Sequence, residues 1–385
     1  MGSSGIAPDS PALRVQLVDP PAFTPPYDHA LASALAAAGA DVELVTSRFD
    51  YGEVPAPAGY RVTEAFYRRG SGAAGSRRRS VEKLAQHPGA MVRLRRGHGL
   101  AIGDPDIRHL QWSAVPQIDA GLLAGTSTPL VVTVHEPTPR RPRRGQQGAL
   151  GRLLRGADAV ITHTDGGRKT VVDAYRVPKE RTHVIEHGAF THVARVDPTP
   201  LDPELDRWLG SGPTILFFGL LRPWKGVDVL LDAFSRVQRP DARLLVVGRP
   251  RMDTAPLRAL ADDRVRFVER FVSDSEVPTL FARADIVALP YREVEQSGVL
   301  ATALAFGRPI VCSRVGGFAE TVERHGVAAL VPPGDPKALA VELVTLLDDP
   351  ARRRSLAFAA RRAADGPLAW PTVAEQTMDL YRSLA

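Results

Sequence analysis

A single cysteine, Cys312, stands in a chain of 385 residues. One thiol excludes a disulfide framework and any zinc cluster built on thiolates, and it fits a reducing compartment. Aromatic residues are scarce at 6%, while Leu, Val and Ala dominate the apolar set, which suits α/β packing better than a β-sandwich. No uninterrupted apolar run approaches the ~20 residues of a membrane helix. The opening MGSSGIAPDS has neither a basic n-region nor an apolar h-region, so no export signal is expected. A cytoplasmic location is the expectation.

Acidic excess is also missing: 49 Lys and Arg face 43 Asp and Glu, for a net charge of +6. Much of the surplus is arginine in short clusters, RRGSGAAGSRRRS at 68–80, RLRRG at 93–97 and PRRPRR at 139–144. One reading is a solvated surface. The other is a basic rim that attracts a phosphorylated acceptor or, peripherally, an anionic membrane surface. Nucleic acid is not expected as a partner, because the clusters lack interleaved aromatics and no reading-head motif accompanies them.

The length exceeds the ~250–300 residues at which one core stops growing, so two domains are expected. LRVQLVD (13–19), the Ala-rich DHALASALAAAGA (28–40) and DVELVTS (41–47) form a βαβ unit. Further strands are expected at 61–67, 107–112, 129–136, 159–165 and 182–188. Residues 196–213 carry four prolines and little periodicity, the marks of a linker. Beyond it the alternation restarts with TILFFG (214–219), a helix whose face is Val227, Leu230, Leu231, Phe234 and Val237, and strands at 242–248, 265–270, 285–290 and through RPIVCS and AALVPP. Ser273 and Glu276 have capping-box spacing at a helix start. Strand and helix alternate at nearly every step, so two Rossmann-like doubly wound parallel sheets are expected. The domains are placed at 1–195 and 214–366, with a C-terminal helix over 367–385 that begins after Pro371.

Ligands of such sheets bind beyond the carboxyl ends of the strands. Three loops of the second half lie there. In FFGLLRPWKG (217–226), Gly219 allows close backbone approach, and Arg222 and Lys225 precede a helix start near Gly226. Cations are unfavourable at the positive end of a helix unless an anion joins them, so a diphosphate is the expected ligand. In YREVEQSGVLATALAFG, Ser297 and Gly298 open an apolar helix whose first N–H groups have no intrahelical partner, and Gly298 leaves the approach unobstructed. The bland alternative is an N-capping Ser on a buried helix. In RVGGFAET (314–321), Gly316 and Gly317 make an exposed turn, and Glu320 either meets a ligand or complements the helix dipole.

These blocks resemble the donor-binding domain of retaining glycosyltransferases of the GT-B fold, in the large family 4. The segments are FFGLLRPWKGVDVLLDAF, ARLLVVG, FVSDSEVPTLFARADIVALPY, AFGRPIVCSRVGGFAETV and GVAALVPPGDPKALAVELVTLL; TVHEPTP, ADAVITHT and VIEHGAF resemble its acceptor domain. The resemblance implies two sheets facing a cleft and a C-terminal helix crossing back to the first domain; the separate sheets and the proline-rich linker predict hinge closure on donor binding. It implies a nucleotide-diphosphate sugar donor and an acceptor hydroxyl on a saccharide, a lipid-linked saccharide or a small molecule such as an aminocyclitol. Arg222 and Lys225 match the pair that holds the diphosphate, with Gly219, Ser297, Gly298 and Val299 beside it. His135 matches the His that approaches the transferred sugar. Glu293, Glu295, Gln296 and Thr302 fall in the sugar and ribose region.

Several positions depart from the family pattern. An ungapped count puts Val294 and Thr302 where two Glu residues are usual, with Glu293 and Glu295 flanking the first. Leu220 stands where an Arg is more usual, and VDPPAFTPPYDH lacks the common Gly-Gly pair. No nucleophile or carboxylate pair of glycosidase type can be assigned. The resemblance implies instead that a donor phosphate oxygen takes the acceptor proton, and that no metal or other cofactor is required. The missing Glu pair leaves a second class open, a sugar-nucleotide epimerase relative or a binding subunit. A dinucleotide oxidoreductase is disfavoured, because no GxGxxG follows a strand.

Overall fold

The computed structural model describes residues 12–50, 52, 54–68, 77–138 and 144–385. The opening decapeptide, most of the arginine cluster at 68–80 and all but Arg144 of the cluster at 139–144 lie outside the described residues. The chain divides into two units: Met1–Thr162 with Arg168–Ile185 and Val373–Ala385, and His163–Gly167 with Glu186–Thr372.

In the first unit seven parallel strands lie in the order β3-β2-β1-β4-β5-β6-β7. They are β1 (Arg14–Asp19), β2 (Asp41–Ser47), β3 (Arg61–Phe66), β4 (Ile107–Leu110), β5 (Leu130–Val134), β6 (Ala159–Thr162) and β7 (Thr182–Val184). Val15, Leu17, Val42, Leu44, Ile107, Val131 and Val160 are buried, because a parallel sheet covered on both faces needs near-continuous apolar strands. The connecting helices are α1 (Pro25–Ala37), α2 (Arg77–Arg95), α3 (Pro116–Leu123), α4 (Gln146–Arg155) and α5 (Asp165–Tyr175). Buried Glu43 is a structural carboxylate: Ala101 N, Ile102 N and the Thr63 hydroxyl donate to it at 2.7, 2.8 and 2.6 Å.

The second unit holds six parallel strands in the order β10-β9-β8-β11-β12-β13. They are β8 (Thr214–Phe218), β9 (Arg243–Val247), β10 (Val265–Val268), β11 (Ile286–Leu289), β12 (Ile310–Ser313) and β13 (Ala329–Val331). The helices are α6 (Pro203–Leu209), α7 (Val227–Ser235), α8 (Ala255–Arg258), α9 (Val277–Arg283), α10 (Gly298–Ala305), α11 (Gly316–His325), α12 (Pro336–Asp348) and α13 (Pro350–Asp365), and then α14 (Trp370–Leu384), whose residues from Val373 onward belong to the first unit. In each sheet the strand order reverses beside its first strand, between β1 and β4 and between β8 and β11, which is where such folds open a crevice.

Two local expectations change. The proline-rich stretch 196–213 contains α6, capped by Asp202, which accepts from Glu204 N and Leu205 N at 2.9 and 3.0 Å with Pro203 in the first turn. Ser273 and Glu276 do not form a full capping box. Ser273 N donates to the Glu276 carboxylate at 2.8 Å, but the helix begins only at Val277. Arg270 grips that carboxylate instead and holds it down at about 2.

Candidate functional site

At the carboxyl end of β8 the chain reaches Gly219 with φ +103. A side chain there would be strained, and its Cβ would lie 2.9 Å from both Lys225 Nζ and Val299 Cγ2. Gly219, Lys225 and Val299, which the family resemblance groups at a donor diphosphate, therefore surround one spot. The following turn, Pro223–Lys225, leads into α7 through Gly226, whose φ of +67 brings its backbone so close to β11 that a Cβ would sit 2.0 Å from the Pro290 carbonyl. Lys225 Nζ lies 5.0 Å from the centre of the buried Tyr291 ring.

Arg222 is placed differently from its expected partner. Its guanidinium lies 4.8 Å over the Trp224 ring. The loop is pinned by a residue the sequence reading passed over: Arg292 grips Asp228 with two hydrogen bonds of 2.9 and 2.5 Å and also donates to the Pro223 carbonyl at 3.0 Å. These residues are 64 apart, and no spacing rule links them.

In the Ser297–Gly298 loop, which is half-buried, Ser297 takes the capping role that was the alternative reading. Ser297 caps α10 by accepting from Leu300 N at 3.4 Å, and a Cβ on Gly298 would meet the Phe190 ring at 3.1 Å. Thr302 is buried and donates to the Gly298 carbonyl at 2.8 Å, so its hydroxyl serves the helix itself. Glu293 is exposed, and Val294 is buried between it and Glu295. Glu295, Gln296 and Ser297 line a small cavity with His163, Glu186 and His187. Its volume of about 30 Å³ has room for water and not for a sugar ring.

Of the turn expected to be exposed, Gly316 is exposed and Gly317 buried, and both backbones pack closely. A Cβ on either would stand 1.8 Å from the Val294 carbonyl oxygen or 2.0 Å from that of Glu295. Glu320 accepts from Asp165 N and Gly166 N at 2.7 and 2.9 Å, so its carboxylate caps the first turn of α5. Beside the cavity, burial and then the neighbouring His163 push His187 down to about 3, so the ring is neutral and its Nδ1–H donates to the Gly188 carbonyl at 2.8 Å.

In the first unit His135 follows β5 and is 2% exposed. Its ring stacks on Trp112, 4.8 Å between centres at 12°, and meets the edge of Tyr27 at 4.8 Å and 90°. Its Nε2 lies 3.3 Å from Gln111 Oε1. Nearby, Asp19 ends β1 and accepts from Phe23 N at 2.6 Å, while Asp28 sits fully inside α1. Burial and then the Asp19 charge drive the Asp28 carboxyl well above its ordinary value. Phe23, 64% exposed, lies 4.6 Å from Trp112 between ring centres. Gln111, Trp112, Asp19 and Asp28 were not singled out in the sequence. Their signal is positional, since Asp19 ends β1 and the others belong to a loop or helix start beyond β1 or β4.

Among the described residues, no three His, Cys, Asp or Glu are grouped to hold a metal ion, and no helix is long and apolar enough to cross a membrane.

Residues 27–192 match the family model described as Glycosyltransferase Family 4, and residues 212–349 match that described as Glycosyl transferases group 1. A phosphatidyl-myo-inositol mannosyltransferase of Mycobacterium leprae is 32% identical over 80% of each chain. A D-inositol 3-phosphate glycosyltransferase of Kineococcus radiotolerans is 30% identical over 60% of this chain and 58% of its own. Sucrose-phosphate synthase from Thermosynechococcus elongatus superposes with a TM-score of 0.75 at 22% identity, covering 97% of this chain and 99% of that one. The Anabaena protein HepE in complex with UDP-glucose superposes at 0.72 with 20% identity, over 96% and 99%. The fold is GT-B, the architecture of a glycosyltransferase. The chain belongs to glycosyltransferase family 4, the glycosyl transferases of group 1.

Proposed function

We propose that the protein is a retaining transferase that moves a sugar from a nucleoside diphosphate sugar to a hydroxyl of a cyclitol or saccharide acceptor. The convergence of Gly219, Lys225 and Val299 beyond β8 carries this reading, because a bare backbone beside an ammonium and a helix start suits a diphosphate. In the proposed step the bond from the anomeric carbon to the diphosphate oxygen breaks and its electron pair stays on the diphosphate. The acceptor oxygen bonds to the same face, and its proton passes to a phosphate oxygen. Lys225, with Arg222 on the same loop, offsets the charge that builds on the leaving group, so no divalent ion is required. His135 is proposed to meet the transferred sugar, and Glu295 and Gln296 to stand nearest its ribose and sugar hydroxyls.

Relatives named for phosphatidyl-myo-inositol and D-inositol 3-phosphate support a phosphorylated cyclitol as the acceptor to try first. The arginine clusters are proposed to guide such an anion, or a peripheral approach to an anionic membrane, from the cytoplasm.

Thermal melts with UDP, GDP and ADP identify the nucleotide, since the one that binds the folded state raises the melting temperature. Turnover of the matching donor is then compared in Lys225→Ala. A charge-assisted hydrogen bond of about 1.5–3 kcal/mol predicts a loss of at least about tenfold, with the melting temperature of the unliganded protein unchanged. Lys225→Arg should recover only part, because a planar fork replaces a point charge. Full turnover in a normally folded Lys225→Ala protein would place the diphosphate elsewhere.

A further inference from the structure

We propose that Gln111 is a positioning residue that fixes which nitrogen of His135 carries the proton, held in turn by a buried hydrogen-bond line from the C-terminal helix. The line lies inside the first unit. Tyr381 Oη of α14 is 2.5 Å from His109 Nδ1, and His109 Nε2 is 2.7 Å from the Thr133 hydroxyl and 3.2 Å from Gln111 Nε2. The other end of the same amide, Oε1, is 3.3 Å from His135 Nε2. Tyr381, His109, Gln111 and His135 are all at most 2% exposed, so water does not compete for these bonds.

The two ends of an amide are not equivalent: its nitrogen only donates and its oxygen only accepts. Gln111 Nε2 facing His109 makes that ring nitrogen an acceptor and puts the His109 proton on Nδ1, toward Tyr381. Gln111 Oε1 facing His135 requires a proton on His135 Nε2. One side chain thus ties the tautomers of two rings together. The aromatic clamp cannot do this. Stacking on Trp112 and the edge contact with Tyr27 fix the plane of the His135 ring and do not tell its nitrogens apart. With the proton of a neutral ring on Nε2, Nδ1 can only accept, so a hydrogen bond with a substrate hydroxyl would have one polarity, the hydroxyl donating. Gln111 also lies directly after β4, so the strand that carries His109 sets the register between these two middle members of the line.

This inference rests on the assignment of His135 to the transferred sugar, and the test separates the two. The protein is labelled with ¹⁵N-histidine, and long-range proton–nitrogen spectra are recorded, with His135→Ala identifying the His135 signals. The expected wild-type spectrum shows Nε2 protonated and Nδ1 bare. In Gln111→Glu, nearly isosteric but ionised, His135 should take up a second proton at higher pH than in the wild type. Gln111→Leu should lose the tautomer preference and lower turnover by about ten- to a hundredfold, the range met when a partner orienting a histidine is removed, while nucleotide affinity holds. Tyr381→Phe should move the spectrum in the same direction by less. A wild-type His135 with a bare Nε2 overturns the proposal, as does a folded Gln111→Glu protein in which the His135 titration is unmoved. If the tautomer changes and turnover does not, the positioning stands and the role of His135 with the sugar falls.

Discussion

Asp28 shows how much a single buried group can reveal. It lies 2% exposed in the first turn of α1, with Asp19 as its neighbour and the Thr24 hydroxyl 3.5 Å from its Oδ2. Burial raises both carboxyls, Asp28 the further, which disfavours two charges side by side and favours one shared proton in the folded protein. The sign follows from linkage. A carboxyl raised above its ordinary value of about 3.9 contributes stability that is complete below that pH and is lost as pH rises through the folded value. Asp28→Asn supplies a permanent donor where the shared proton sits, so that part of the pH dependence should disappear. Melting temperatures recorded from pH 4.5 to 8.5 should converge for the variant and fall more steeply for the wild type. A variant less stable than wild type by the same margin at every pH would reject the shared proton. The sequence could not announce this pair. VDPPAFTPPYDH places two acids nine residues apart, and only the turn of the chain from β1 into α1 brings them together.

The elements themselves were largely legible, because the fold depends on periodicity that any sequence displays. β1, β2, β8 and β11 fall within a residue or two of the apolar runs that mark them, and α7 buries Val227, Leu230, Leu231 and Phe234 as their spacing requires. What periodicity cannot convey is which backbones touch. RVGG reads as an open turn, yet Gly317 is buried with the Glu295 carbonyl 2.0 Å from where its Cβ would be. QSGV likewise reads as a bare helix start, yet Gly298 faces Phe190, a residue more than 100 positions away. Gly219, Lys225 and Val299 do lie together, a proximity within reach of the sequence because a loop of ten residues and one helix start contain it. The pinning of that loop by Arg292 on Asp228 was not legible, because it joins the loop after β11 to the first turn of α7, 64 positions earlier. Gly317→Ala tests the backbone contact at this scale. The obstacle is a carbonyl of the Glu295 loop and not the end of a flexible side chain, so the loop must move. Melting should fall by several degrees, an effect of about 1–3 kcal/mol as for other overpacked sites. Donor affinity should fall with it, since the displaced loop leads into Ser297 and Val299. Unchanged stability and affinity would show that the loop yields freely.

At the scale of the whole molecule, chain order and domain membership part company. Val373–Ala385 come last in sequence and belong to the first unit, and Val373, Ala374, Met378, Leu380 and Tyr381 are buried there. Buried apolar side chains contribute roughly 1.5–3 kcal/mol each when large, so losing these together costs about as much as the whole stability of an ordinary domain, about 5–15 kcal/mol. The helix also ends the polar line through His109, so its removal would leave a buried imidazole without the Tyr381 hydroxyl. Truncation after Thr372 should therefore unfold or loosen the first unit while leaving the second unit its own core of Leu216, Phe217, Leu245, Val246, Val287 and Val311. Hydrogen exchange resolves the two outcomes within one sample. Amides of β1, β2, β4 and β5 should lose protection in the truncated protein, while those of β8, β9, β11 and β12 keep it. The nucleotide that stabilises the full chain should still protect the second unit, because Gly219, Lys225 and Val299 all lie within it. Equal loss of protection in both sheets would mean that the two units do not fold as separate cooperative bodies. Unchanged protection in β1 and β4 would mean that α14 contributes little to the core it covers.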